Sequence, residues 1–155
     1  MVYVLDSSFV IQLHKHYYRE SFVGLWKRFD EMVAAGQFTS TREVRRELGD
    51  IDDAAAKWAE ANPDLFATPN AAEGAFVASI YAIPHFQSNI ERQKLIKGGR
   101  NADPFVIARA ATLKGTVLTM EQLRPNAAKI PNICGHFKVP CCDLRRFMEV
   151  NNWTF

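Results

Sequence analysis

The sequence predicts an α/β fold built on a parallel sheet. Three observations carry this. Short runs rich in β-branched, aromatic and aliphatic residues, VYVL at Val2–Leu5 and TVLT at Thr116–Thr119, have the length and composition of buried strands. Longer segments between them place apolar residues at helical spacing, as Phe22, Leu25, Trp26, Phe29 and Val33 do. The two kinds of segment alternate along the chain, the pattern of right-handed βαβ crossovers.

The opening strand ends on an acid and two hydroxyls, Asp6, Ser7 and Ser8. In open α/β sheets ligands bind at the carboxyl ends of strands, so Asp6 is a site candidate. Ser7 or Ser8 is placed to cap the next helix, over Ser8–Tyr18. A second helix covers Phe22–Ala34, with Gly36 at its C-cap. Phe38–Ser40 reads as the end of a second strand. Ser40 and Glu43 fit a capping box for the helix STREVRREL, in which Val44 and Leu48 face the core with Glu47 beside them. An alanine-rich helix surrounds Trp58, breaks follow at Asn62-Pro63 and Pro69, and a further helix runs Glu73–Ala82.

Pro84–Gly99 is polar and ends in KGGR, which reads either as a flexible surface loop or as a phosphate-contacting loop beside Asp103. Asp103 before Pro104 reads as an N-cap, with a largely apolar helix following and Gly115 ending it. After the TVLT strand come a proline-marked stretch, a short helix near Asn132–Phe137, a last strand within Val139–Cys142, and a helix Leu144–Val150 capped by Asp143. The tail NNWTF packs back through its aromatics.

At 155 residues the chain has the size of one domain, read as 1–155. Its hydrophobic fraction of 48% and charged fraction of 23% are those of a soluble globular protein. A net charge of +2 is compatible with nucleic acid without requiring it. Cys134, Cys141 and Cys142 match neither a disulfide framework nor a zinc spacing, so reduced thiols in a cytoplasmic protein are expected. Neither a signal peptide nor a membrane-spanning run is present, so no membrane partner is expected.

Four acids stand at equivalent places. Asp6 ends a strand, Glu47 lies on the helix after the second strand, Asp103 starts a buried helix, and Glu121 follows the TVLT strand. Strand ends and helix starts meet at one edge of a parallel sheet. Clustered carboxylates repel and are costly to desolvate unless a cation neutralises them. An oxygen-only donor set suits Mg²⁺ or Mn²⁺. Two such ions about 3.5–4 Å apart can clamp a phosphodiester and activate a water. Each acid also has a plain alternative: Asp6 and Glu121 as turn residues, Asp103 as a cap, Glu47 as a solvated side chain.

VLDSS, REVRREL, ADPFVIARA and TVLTME, in that order, resemble the PIN-domain superfamily of metal-dependent ribonucleases, which includes toxins of bacterial toxin–antitoxin pairs. LHKHYY and PNAAKIPNICGHF resemble its bacterial and archaeal DUF4411 type. The resemblance spans essentially the whole chain. It implies a three-layer α/β/α sandwich with a mainly parallel central sheet. It also implies an acidic cleft that binds Mg²⁺ or Mn²⁺ and hydrolyses RNA. Asp6, Glu47 and Asp103 become metal ligands, with Glu43 a weaker choice than Glu47. Ser7 and Thr119 match supporting hydroxyl positions. The last motif usually reads Thr-x-Asp, and here Glu121 replaces the aspartate. An antitoxin and a second copy of the chain are the implied protein partners.

Lys94, Lys97 and Arg100 beside Asp103, and Lys15 beyond Asp6, are the candidate RNA-backbone contacts. No histidine spacing matches a metal motif, and KGGR lacks the ending of a phosphate-binding P-loop. Two other functions compete with the nuclease: a PIN-like RNA-binding module with an impaired site, and a hydrolase of small phosphoesters. Against the latter, an aspartyl-phosphate enzyme would carry a second acid where Ser8 stands.

Overall fold

The computed structural model describes residues 1–50, 53–96 and 101–155, and of 91–96 the backbone alone. The strands among the described residues are β1 (Tyr3–Leu5), β2 (Phe38–Thr41), β3 (Phe66–Ala67), β4 (Thr116–Leu118) and β5 (Cys141–Cys142). They form one sheet in the order β3-β2-β1-β4-β5, with every pairing parallel. Tyr3 is level with Phe38 on one side and Thr116 on the other, and Leu5 with Leu118.

The described helices are α1 (Ser7–His16), α2 (Val23–Ala34), α3 (Arg42–Gly49), α4 (Ala54–Ala61), α5 (Ala71–Tyr81), α6 (Pro84–Ile96), α7 (Asp103–Leu113), α8 (Ile130–Phe137) and α9 (Leu144–Val150). They cover both faces of the sheet. Side chains alternate across a strand, so Tyr3 and Phe38 share a face and Val4 and Thr39 share the other. On the first face Tyr3 meets Phe147 of α9 edge-on at 4.9 Å, and Phe38 meets Phe29 of α2 at 4.7 Å. Phe9 of α1 and Trp58 of α4 extend this aromatic layer. On the second face α7 packs on β1, β2 and β4, and Arg109 of α7 donates to the Thr39 hydroxyl at 2.9 Å. The same arginine pairs with buried Glu73 at 2.8 Å, tying α5 to α7.

Chain direction across the sheet reverses once. From β1 it moves outward through β2 to β3; after α7 it returns to the other side of β1, then continues to β5. The reversal lies between β1 and β4, and a crevice opens at the carboxyl ends of strands on either side of such a point. The predicted parallel α/β architecture is therefore the observed one, and β1 is its central strand.

Several local expectations are corrected. The helix after β1 begins at Ser7, so Asp6 is its N-cap residue, and neither Ser7 nor Ser8 caps it. The third helix is capped by Thr41, whose hydroxyl accepts from the Val44 amide at 3.3 Å. Ser40 lies within β2 and donates instead to the Leu5 carbonyl at 2.6 Å. Ala102, not Asp103, is the N-cap of α7. Lys114 adopts the left-handed C-cap conformation, with φ 55°. Gly115 is needed for space: a Cβ there would lie 2.7 Å from the Val2 carbonyl oxygen, where β4 starts to pair with β1. β3 was not anticipated, since two residues are too short to show a period. Neither was α6. Its inward positions include a polar residue, Asn89, which hides the helical spacing of Phe86 and Ile90.

Candidate metal centre at the carboxyl ends of β1 and β4

Asp6 continues the β1–β4 ladder, its amide donating to the Leu118 carbonyl at 2.9 Å. Its side chain is 2% exposed. Two hydroxyls converge on one carboxylate oxygen: Ser8 donates to Oδ2 at 2.5 Å and Thr119 at 2.9 Å. The other oxygen, Oδ1, is buried and has no hydrogen-bond partner among the described residues. The Ser8 hydroxyl in turn accepts from the Met120 amide at 3.0 Å, and that of Thr119 from the Glu121 amide at 3.1 Å. The chain leaving β4 is thus fastened to the chain leaving β1.

Glu47 is 7% exposed and reaches this cluster from α3. Its Oε2 accepts from the Ser7 hydroxyl at 2.5 Å, and its Oε1 from the Ala102 amide at 3.1 Å. Ala102 immediately precedes Asp103, so one carboxylate links the start of α1 to the start of α7. Asp103 is fully buried and accepts a 2.9 Å hydrogen bond at Oδ2 from the Asn89 amide. The amino ends of α1 and α7 both face this edge of the sheet, and their dipoles favour negative charge there.

Cys134 of α8 is fully buried, and the charges of Asp103 and Asp6 both act on its thiol. A hydrogen bond with Cys141 and burial push the Cys134 thiol up, which favours its protonated form. The same hydrogen bond lowers Cys141, while burial pushes Cys142 up to about 11. All three are free thiols.

Three of the four acids singled out from the sequence, Asp6, Glu47 and Asp103, are therefore buried around one crevice, with Ser7 and Thr119 as their hydroxyl partners. Glu121 follows a different course. Its Oε2 accepts from the Ile130 amide at 2.8 Å, at the start of α8. Glu43 lies outside the cluster, paired with Arg42 and Arg46. Lys15 is exposed near the end of α1. Nine residues of helix rise put it roughly 13 Å from Asp6 along the axis. Lys97 and Arg100 lie outside the described residues, as does the Lys94 side chain. His14 packs between Trp26 and Trp58, at 4.7 and 5.6 Å between ring centres. Two residues of the crevice were not singled out: Ser8, read as a possible cap, and Asn89, buried in a segment read only as polar.

The donor set suits a hard cation. It consists of oxygens, and the partnerless Asp6 Oδ1 is a buried polar atom that a cation would satisfy. Among the described residues, no three His, Cys, Asp or Glu side chains converge closely enough to cage an ion by themselves. That is compatible with Mg²⁺, which keeps several waters and takes one or two carboxylates together with substrate phosphate.

The chain matches the model of the family described as "Domain of unknown function (DUF4411)" over residues 3–155. It belongs to that family. Among curated proteins none matches it. Among solved structures, one to which it is similar is VapBC2 from Rickettsia felis bound to a DNA fragment from their promoter. That match has 11% identity and a TM-score of 0.49, and covers 92% of this chain and 98% of the other. No helix among the described residues is long and apolar enough to cross a membrane.

Proposed function

We propose that this chain is a Mg²⁺- or Mn²⁺-dependent endoribonuclease that hydrolyses RNA phosphodiester bonds in the crevice between β1 and β4. The observation that carries this reading is Asp6, a buried carboxylate at the reversal point of the sheet. Two hydroxyls hold one of its oxygens, and the other has no hydrogen-bond partner among the described residues. A buried carboxylate oxygen with no donor is unfavourable, and a bound cation removes the penalty. Asp6 and Asp103 would hold the ion, with Glu47 alongside. When bound, the ion would supply charge neutralisation at the phosphate and activation of the attacking water. The chain's own contribution is orientation: Ser8 and Thr119 aim Asp6, and Ser7 and the Ala102 amide aim Glu47. RNA as the substrate, an antitoxin and a second copy as partners, and a cytoplasmic toxin role rest on the motif resemblance. Lys15, Lys94, Lys97 and Arg100 are the residues proposed to steer the RNA backbone.

The test is Asp103→Asn in an RNA cleavage assay with Mg²⁺ or Mn²⁺, with folding checked by circular dichroism. Cleavage falls to background if the reading holds. A folded variant that turns over like the wild type removes the assignment.

One observation favours a second reading, a PIN-like RNA-binding module without catalysis. Glu121, in the place where the motif carries an aspartate, spends a carboxylate oxygen on the Ile130 amide. RNA binding in EDTA, with no cleavage at any Mg²⁺ or Mn²⁺ concentration, would establish that module in place of the enzyme.

A further inference from the structure

We infer that Asn89 of α6 is a positioning residue that sets the orientation of Asp103 as a metal ligand; this rests on the metal-dependent reading above. Asn89 is 2% exposed, so its amide must find partners inside the protein. It finds three. The side-chain nitrogen donates one hydrogen to Asp103 Oδ2 at 2.9 Å and the other to the Ala128 carbonyl at 2.9 Å. The side-chain oxygen accepts from the Asn101 amide at 2.9 Å.

These partners admit one orientation. Rotating the amide by half a turn would set its oxygen against a carboxylate and a carbonyl, both acceptors only. The Asn101 donor holds it from the opposite side. Asn89 thereby joins three segments that meet at the crevice: α6, the entry to α7, and the stretch leading into α8.

The choice of a neutral donor matters. A lysine or arginine at this place would also bind Asp103, but its charge would oppose a metal cation. An amide fixes the carboxylate without bringing a charge of its own. Partners of this kind orient metal ligands, and their loss typically costs about 10–100-fold in metal affinity.

The experiment measures Mn²⁺ binding to the full chain by the electron paramagnetic resonance of free Mn²⁺. It compares wild type, Asn89→Leu and Asn101→Ala, with thermal melting in the absence of metal as a folding control. Cleavage is then titrated with Mn²⁺. Asn89→Leu is expected to bind Mn²⁺ about 10–100-fold more weakly and to regain turnover at saturating metal. Asn101→Ala, which removes the support of Asn89 and a side-chain hydrogen bond to Tyr81 without touching Asn89 itself, is expected at the low end, about tenfold. It decides the matter if Asn89→Leu does not fold. Wild-type Mn²⁺ affinity in a folded Asn89→Leu, or in Asn101→Ala should the first not fold, overturns the inference alone. A lowered melting point with unchanged affinity has the same meaning. A wild-type chain that binds no Mn²⁺ removes the metal-dependent reading as well.

Discussion

The Thr119 hydroxyl at the end of β4 donates to Asp6 Oδ2 at the end of β1, at 2.9 Å and across 113 residues of sequence. Both residues are buried, and they stand on the two strands between which the sheet reverses direction. The contact bridges the crevice and fixes which carboxylate oxygen remains for a ligand. Replacing the hydroxyl with a methyl of equal size isolates its role. Thr119→Val should lower Mg²⁺-dependent cleavage about 10–100-fold, the usual loss for a group that orients a metal ligand. It should also destabilise the fold by about 1–3 kcal/mol, because the Glu121 amide loses its acceptor and Asp6 a donor. Urea unfolding and cleavage of a labelled RNA check the two effects separately.

Glu47 makes a sharper case, since its two oxygens have different partners. Oε1 accepts from the Ala102 backbone amide, which can only donate, and Oε2 from the Ser7 hydroxyl, which can also accept. Glu47→Gln can therefore keep both contacts, with its oxygen toward Ala102 and its nitrogen toward Ser7. The expected result is a folded protein with a midpoint in urea close to the wild type and a strong loss of metal-dependent cleavage. Glu47→Ala should lose both stability and cleavage, because the buried Ala102 amide is left without an acceptor. Equal activity in wild type and Glu47→Gln would mean that the charge at this place has no catalytic use.

The contrast between these two residues shows what the sequence made legible. Asp6 and Thr119 end short apolar runs, so their positions at the sheet edge follow from the strands alone. Asp103 was legible as the start of a helix, although Ala102 rather than the aspartate caps it. Glu47 needed the helix period, which put it on the side of Val44 and Leu48 and is matched by its burial. Asn89 was not legible. Its segment is mostly polar, and its value comes only from partners 12, 14 and 39 residues away. Local pattern reports burial when apolar residues carry it; a buried amide inside a polar helix leaves no such trace.

Glu121 separates a ligand from a cap. Its carboxylate accepts from the Ile130 amide, where α8 begins. Glu121→Gln retains an acceptor oxygen and removes the charge, whereas Glu121→Ala removes both. If the residue serves α8 alone, Glu121→Gln keeps wild-type cleavage and Glu121→Ala loses about 0.5–2 kcal/mol of stability, the range for a lost cap. If it also serves the metal, Glu121→Gln loses cleavage and raises the Mg²⁺ concentration needed for half-maximal rate. Metal titrations of both variants, paired with thermal melts, tell these outcomes apart.

His14 ties stability to pH in a direction that its surroundings set. Burial between Trp26 and Trp58 lowers its pKa from the ordinary 6.5; the Val10 carbonyl, bound to Nδ1 at 2.9 Å, acts in the opposite sense. The nearby charges of Arg19, Asp53 and Asp30 act on it as well, the first lowering the pKa and the two acids raising it. A lowered pKa means that the unfolded chain takes up a proton before the folded chain does. The contribution of His14 is therefore complete above 6.5 and is lost as pH falls from 6.5 toward the lower folded-state value. Urea midpoints should decline over this window in the wild type. In His14→Phe, which keeps a ring between the two tryptophans but cannot titrate, the decline should be shallower. A wild-type curve that is flat through this window, or parallel to that of His14→Phe, would show that the ring does not titrate differently on folding.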